Sequence, residues 1–215
     1  DKVMHQKLLP SGRVSYHPMC NYLGSENGVG RFESILSGAQ TQVIVRKKLV
    51  DAHYAGPSVP STHTPKFTVA DGVRLVTPNA LTQLWQSKGP RPSRYAILGA
   101  GKTAMDAGIW LQNCGAPPEA ITWVMPRDSW LVNRLCTQPG NEFFNESIGG
   151  QAAQMECFAT ATGVQDLFLR LEAAGQMLRI YPDHLPTMFH YATVSKGEIA
   201  ILQRIKNVIR MGRVQ

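Results

Sequence analysis

The sequence predicts an α/β protein with a parallel, doubly wound sheet behind a small β-rich segment. Three observations carry this prediction. An apolar run near the middle of the chain, RYAIL at 94–98, ends at a glycine turn, continues as a helical pattern, and is succeeded by a second apolar run, ITWVM at 121–125. Strand, helix and strand within about 30 residues make a βαβ unit. The residues after this unit have mostly helical periodicity, whereas those before it alternate β-branched and polar residues.

Taken in order, short strands are expected at 13–17 (RVSYH), 31–37 (RFESILS) and 41–54 (TQVIVRKKLVDAHY), with Ser37-Gly38 separating the last two. Gly28-Val29-Gly30 follows polar residues and opens no helix, so it reads as a hairpin turn. Over 56–65, Gly56 and the prolines Pro57, Pro60 and Pro65 exclude regular helix and central strand. This stretch is expected to cross from a segment 1–67 into a domain 68–215. A short helix is expected at 79–87, closed by Lys88-Gly89-Pro90.

The helix of the βαβ unit is expected at 102–114 with Gly115 as its stop. It would bury Ala104, Ala107, Ile109, Trp110 and Leu111, small residues coming first where a helix approaches a sheet. Beyond the second strand, helices are expected at about 129–136, 150–159 and 164–174, followed by a short strand at 177–181. A long helix is expected from about 196 to 211, with Ser195 and Glu198 at capping-box spacing.

Charged residues are 17% of the 215 and hydrophobic ones 43%, the balance of a folded chain. No apolar run reaches the roughly 18 residues of a membrane-spanning helix, and the polar start DKVMHQK is unlike a signal peptide. The expectation is a cytoplasmic protein with no membrane partner. Cys20, Cys114, Cys136 and Cys157 form no CxxC pair, and the histidines include no HExxH, so no metal is expected and the thiols read as buried and reduced. Twenty-two Lys and Arg against fifteen Asp and Glu give +7, which favours anionic ligands. The basic residues are dispersed except for Arg204, Lys206, Arg210 and Arg213, which suit a solvated helix face, so no nucleic-acid partner is expected. The start at Asp1 and the stop at Gly212-Arg213-Val214-Gln215 are those expected of an internal fragment or a truncated copy.

The stretch ILGAGKTAMD (97–106) admits two phosphate loops. A P-loop needs G-x-x-x-x-G-K-[ST], whose long loop wraps a triphosphate. Counting back five from Gly101 lands on Ala96, inside the apolar run, which leaves no room for such a cradle. The other pattern, G-x-G-x-x-[G/A], fits at Gly99, Gly101 and Ala104, directly after a strand and at the start of a helix. Gly99 permits the tight turn, Gly101 lets a pyrophosphate approach the backbone, and Ala104 keeps the helix near the sheet. The helix start then offers free amides and a positive dipole end, with Lys102 and Thr103 adding a charge and a hydroxyl. The expected core is therefore Rossmann-like.

The end of the second strand discriminates between cofactors. An acid there accepts the ribose hydroxyls of NAD, whereas an arginine suits the 2′-phosphate of NADP. Arg127 lies about 28 residues after Gly99 and precedes Asp128, which favours NADP with Arg127 paired to the phosphate. The alternative is that Arg127 and Asp128 pair with each other at a helix start.

The segment LGAGKTAMDAGIWLQNCGAPPEAITWVMPRDSWLVNR (98–134) resembles the NADP-binding part of FAD- and NADPH-dependent oxidoreductases of the flavin-containing monooxygenase type. These belong to the two-dinucleotide-binding-domain flavoproteins of the pyridine nucleotide-disulfide oxidoreductase type. The nearest likeness is to a group with a GxGKT turn followed by a PRDxWxxNR run. KKLVDAHYAGPSVPSTHTPKF (47–67) is similar to the crossing from the FAD domain to the NADP domain, and LFLRLEAAGQMLRI (167–180) also matches. The resemblance implies that 1–67 is the remnant of an FAD domain, and that NADPH reduces FAD, which then reacts with oxygen to oxidise a substrate.

The strand–GxGxxG–helix that would hold the FAD pyrophosphate is absent from these 215 residues. Such a chain would bind NADPH without itself sustaining flavin turnover, or would act as a non-catalytic dinucleotide-binding or interaction module. Trp130, Asn133 and Arg134 match the family run, which implies that they line the cleft between cofactors. The alternative is a helix with its aromatic inward and Arg134 solvated. Asp106 reads as a stabilising acid near a helix start. No Ser/His/Asp or Cys/His set is present in an arguable pattern, so no catalytic residue, substrate or oligomeric state is assigned.

Overall fold

The computed structural model describes residues 3–52, 64–86 and 89–214. The chain divides into two units, Asp1–Pro57 and Ser58–Gln215. The expected crossing at 56–65 lies outside the described residues apart from Thr64 and Pro65.

The first unit is an antiparallel meander of β1 (Cys20–Glu26), β2 (Val29–Ser34) and β3 (Gln40–Ile44), in that spatial order. Asn27 and Gly28 have φ of 51° and 77°. Two consecutive positive φ values are what a two-residue hairpin turn needs, so the turn lies at Asn27-Gly28, while Val29 and Gly30 of the expected glycine turn open β2. The expected strand at 13–17 does not form. RVSYH joins neither edge of the β1-β2-β3 sheet. β3 also ends at Ile44, well short of 54. Among the described residues of this unit only Gly30 is buried.

The second unit is mixed α/β. A short helix α1 (Leu81–Gln86) leads to β4 (Tyr95–Leu98), α2 (Lys102–Asn113) and β5 (Ile121–Val124), the βαβ unit expected. The third strand of this sheet is β9 (Asn207–Ile209), giving the all-parallel order β4-β5-β9 with Ile97, Trp123 and Val208 in register. Strand alternation puts Ile97, Ile121 and Trp123 on the face covered by α2 and α5 (Lys196–Leu202), where all three are buried. Ala96, Leu98, Asn207 and Ile209, on the other face, are exposed. The helix approaches closely at Gly108, where a Cβ would lie 3.3 Å from the end of Ile97 and 3.4 Å from those of Leu202 and Ile205.

A second sheet in this unit has the order β7-β6-β8, built from β6 (Ser129–Asn133), β7 (Met177–Leu178) and β8 (Met188–Val194). The helix expected at 129–136 is thus a strand followed by a 3-10 turn, Arg134–Thr137. The reason is burial on both faces. Leu131 enters the main core, while Trp130 and Val132 enter a second cluster with Cys157, Leu171 and Met177. A strand buried on both sides loses its alternation and reads like a helix segment. Helices α3 (Gly150–Thr160) and α4 (Val164–Ala173) form where expected and contribute to that second cluster.

The long helix expected at 196–211 stops at Leu202. Ile199, Leu202, Ile205 and Val208 recur every third residue, a spacing that imitates a helix continuing. Instead the chain turns, and Asn207–Ile209 pairs with β5. The buried Tyr181 hydroxyl holds this turn by donating to the Ile205 carbonyl at 2.7 Å. The capping box forms as expected: Ser195 Oγ accepts from the Glu198 amide at 3.1 Å, and Glu198 Oε2 accepts from the Ser195 amide at 2.6 Å. Among the described residues no helix is long and apolar enough to cross a membrane. Of the four thiols only Cys157 is buried; the other three are half-buried.

Candidate functional site

Three residues, Gly99, Ala100 and Gly101, connect β4 to α2. Gly99 has φ of 108°, a region that side-chain-bearing residues avoid. Its amide donates to the Val124 carbonyl at 2.9 Å and its carbonyl accepts from the Trp123 indole at 2.7 Å, so β5 holds the turn from both sides of the peptide. Gly101 is the N-cap of α2 in extended conformation and gives the helix no side-chain cap. A Cβ on Gly101 would meet no atom of the described residues within 4 Å. Among the described residues, the helix therefore starts with amides that find no side-chain acceptor, beside open space. Ala96, where a P-loop would need its first glycine, is inside β4.

This turn opens on a cavity of about 420 Å³ whose lining includes Gly101, Lys102, Ser129, Arg134, His190 and Tyr191. Its two cations converge on one carboxylate. Lys102 Nζ lies 3.3 Å from Glu198 Oε1, and Arg134 Nη2 lies 3.2 Å from both oxygens of Glu198. Arg134 Nη2 also donates to the Thr193 carbonyl at 3.2 Å, and Lys102 pairs with Asp106 one turn along α2. Burial by itself pushes the Glu198 carboxyl up. The hydrogen bonds from Ser195 and Arg134 and the Lys102 charge outweigh it and hold the group at about 2, against an ordinary 4.5. Glu198 thus does two jobs, capping α5 and fixing the two cations at the cavity.

The sequence-predicted residues divide. Gly99, Gly101 and Lys102 meet at the turn, with Gly101 and Lys102 lining the cavity. Thr103 is exposed on the first turn of α2, and Ala104 is buried under it in the main core. Arg127 is exposed, and among the described residues it makes no hydrogen bond or ion pair. Asp128 does not pair with Arg127. Its two oxygens accept from Arg210 Nε at 2.6 Å and Nη2 at 3.1 Å, which ties the end of β5 to the end of β9. Of the PRDxWxxNR run, Arg134 and Ser129, at an unspecified position of the run, line the cavity with Lys102. Trp130 is buried against Phe168, and Asn133 is buried with its amide donating to Gly175 and its Oδ1 capping the 3-10 turn at Leu135.

Residues 190–193 on β8 and Glu198 were not anticipated as site residues. The aromatic and β-branched run FHYATV was a strand signal in the sequence, and the capping box had already marked Glu198, but only as a helix start.

Over its whole length the chain is 45% identical to an uncharacterized protein of Mycobacterium bovis and to uncharacterized proteins from two strains of Mycobacterium tuberculosis. It spans 38% of the length of each of these relatives. No protein-family model and no solved structure matches it.

Proposed function

We propose that the chain is the NADPH-binding portion of a flavin-dependent oxidoreductase of monooxygenase type, with β4, α2 and β5 as the start of a Rossmann-like, doubly wound core. The observation that carries this reading is the three-residue Gly99–Gly101 turn, which leaves a parallel strand and opens a cavity bearing two cations at an uncapped helix start. A link of that length suits a pyrophosphate and is too short to wrap a triphosphate. The absent Cβ of Gly101 leaves room for the phosphates against the backbone, and the first amides of α2 donate to them with help from its dipole. Lys102 and Arg134 add charge, held in place by Glu198.

NADP is favoured over NAD by the end of β5. Asp128, the acid placed to accept ribose hydroxyls, has both oxygens engaged by Arg210. Arg127 beside it is exposed and unpaired among the described residues, as a 2′-phosphate ligand should be before its ligand arrives. When bound, NADPH supplies a hydride for flavin reduction.

The FAD would be held outside these 215 residues. Support comes from the first unit, whose three strands bury a single glycine and so look like the end of a domain completed elsewhere. Relatives of which the chain spans 38% have the length for such a domain. A cytoplasmic location belongs to the same proposal.

Titration with NADPH and NADH, of the parent chain and of Arg127→Ala, tests the reading. NADPH is expected to bind at least tenfold more tightly than NADH, and Arg127→Ala to remove most of the difference, since a charge-assisted bidentate pair is worth about 1.5–3 kcal/mol. Equal affinities that the substitution leaves untouched would sink the NADP assignment.

A further inference from the structure

One wall of the cavity is a deformation of β8. The register with β6 pairs Trp130 with Phe189 and resumes with Val132 opposite Thr193, so the single residue Leu131 stands against His190, Tyr191 and Ala192. Bulges of this kind re-aim side chains and recur beside binding sites. The middle residue, Tyr191, has φ of 57°, a left-handed conformation that bulky side chains rarely adopt. The residue is also 70% exposed, so burial does not compensate for the strain.

That ring is nevertheless held. It meets Phe189 edge-on at 5.6 Å, Phe189 meets Phe168 at 5.5 Å, and Phe168 stacks on the buried Trp130 at 5.4 Å with 11° between planes. An aromatic surface anchored through three other rings to a core is pre-organised for a planar ligand and loses little freedom on binding it.

We propose that Tyr191 is the stacking platform for the nicotinamide half of the dinucleotide, whose phosphate is held by Lys102, Arg134 and the start of α2. The proposal rests on the NADPH reading above. Lys102 and Arg134 are balanced by Glu198 and, on Lys102, by Asp106, so a phosphate would be held by their N–H donors together with the first amides of α2 rather than by a net charge. A cavity of about 420 Å³ suits a mononucleotide better than a whole dinucleotide. Arg127, assigned to the adenosine 2′-phosphate, does not line this cavity, so the half that enters is the nicotinamide half.

Nicotinamide mononucleotide, adenosine 2′,5′-bisphosphate and NADPH are titrated against the full chain and against Tyr191→Phe, Tyr191→Gly and Tyr191→Asn. Glycine and asparagine both tolerate this φ, so these two variants keep the bulge while losing the ring. Loss of one ring stack is expected to weaken the mononucleotide and NADPH roughly tenfold in both, with Tyr191→Phe retaining affinity and adenosine 2′,5′-bisphosphate unchanged throughout. Unchanged NADPH affinity in both ring-less variants, a loss confined to the adenosine ligand, or an equal loss for all three ligands overturns the proposal. Failure of the parent chain to bind any of the three overturns the NADPH reading and the platform with it, and that outcome is distinguishable because it precedes any substitution.

Discussion

The indole N–H of Trp123, fully buried in the parallel sheet, donates to the carbonyl oxygen of Gly99 at 2.7 Å. A core residue of β5 thereby sets the position of the turn proposed to hold phosphates. Trp123→Phe keeps an aromatic ring in the core but leaves that carbonyl without its donor. The expected cost is about 1–3 kcal/mol in urea unfolding, the range for a buried polar group left unpaired. NADPH affinity is expected to fall with it, because the turn loses one of its two ties to β5. Lowered stability with unaltered affinity would separate the turn from binding.

The two glycines of the turn should respond differently to alanine. Gly99 sits at φ 108°, so Gly99→Ala is expected to cost about 1–3 kcal/mol in a thermal or urea melt. Gly101 has φ of −81° and open space around a Cβ, so Gly101→Ala should fold with the parent's stability. Its expected defect is in nucleotide binding alone, since the methyl occupies room that the backbone otherwise offers to a phosphate. Gly101→Ala with full NADPH affinity would show that the close approach does not occur there.

Glu198 should make stability depend on pH at the acid end. Its carboxyl is held at about 2 in the fold against an ordinary 4.5, so the unfolded chain takes up the proton first as pH falls. The contribution is whole above about 4.5 and disappears as pH drops through about 2. Glu198→Gln lacks it at every pH. Melting of parent and variant across this window should show a gap that is widest at neutral pH and closes toward 2. A gap of constant size would mean that the ionised carboxylate contributes nothing beyond its shape.

The site was legible where its chemistry is local. Gly99, Gly101 and Lys102 announce themselves because a strand, a tight turn and a helix start follow one another within ten residues. Arg134 was visible only as part of a resemblance, on a segment read as a helix. It reaches the cavity because β6 runs parallel to β8 and then turns at Asn133, and neither fact leaves a mark in neighbouring residues. Tyr191 was invisible as a site residue, since a bulge is a mismatch between two strands and exists only once both are paired.

The same division runs through the fold. The βαβ unit, a tight turn near Gly28, the helices α3 and α4, and the Ser195–Glu198 capping box could all be read from neighbouring residues, because each depends on contacts within a turn or two of chain. Long-range packing, by contrast, makes SWLVN a strand buried on both faces, ends α5 at Leu202 so that Asn207–Ile209 can join β5, and gives Asp128 to Arg210. Each of these is a choice between two locally acceptable conformations. It is settled by partners that lie tens of residues away in the chain, whose burial and hydrogen bonds outweigh the small differences in local propensity.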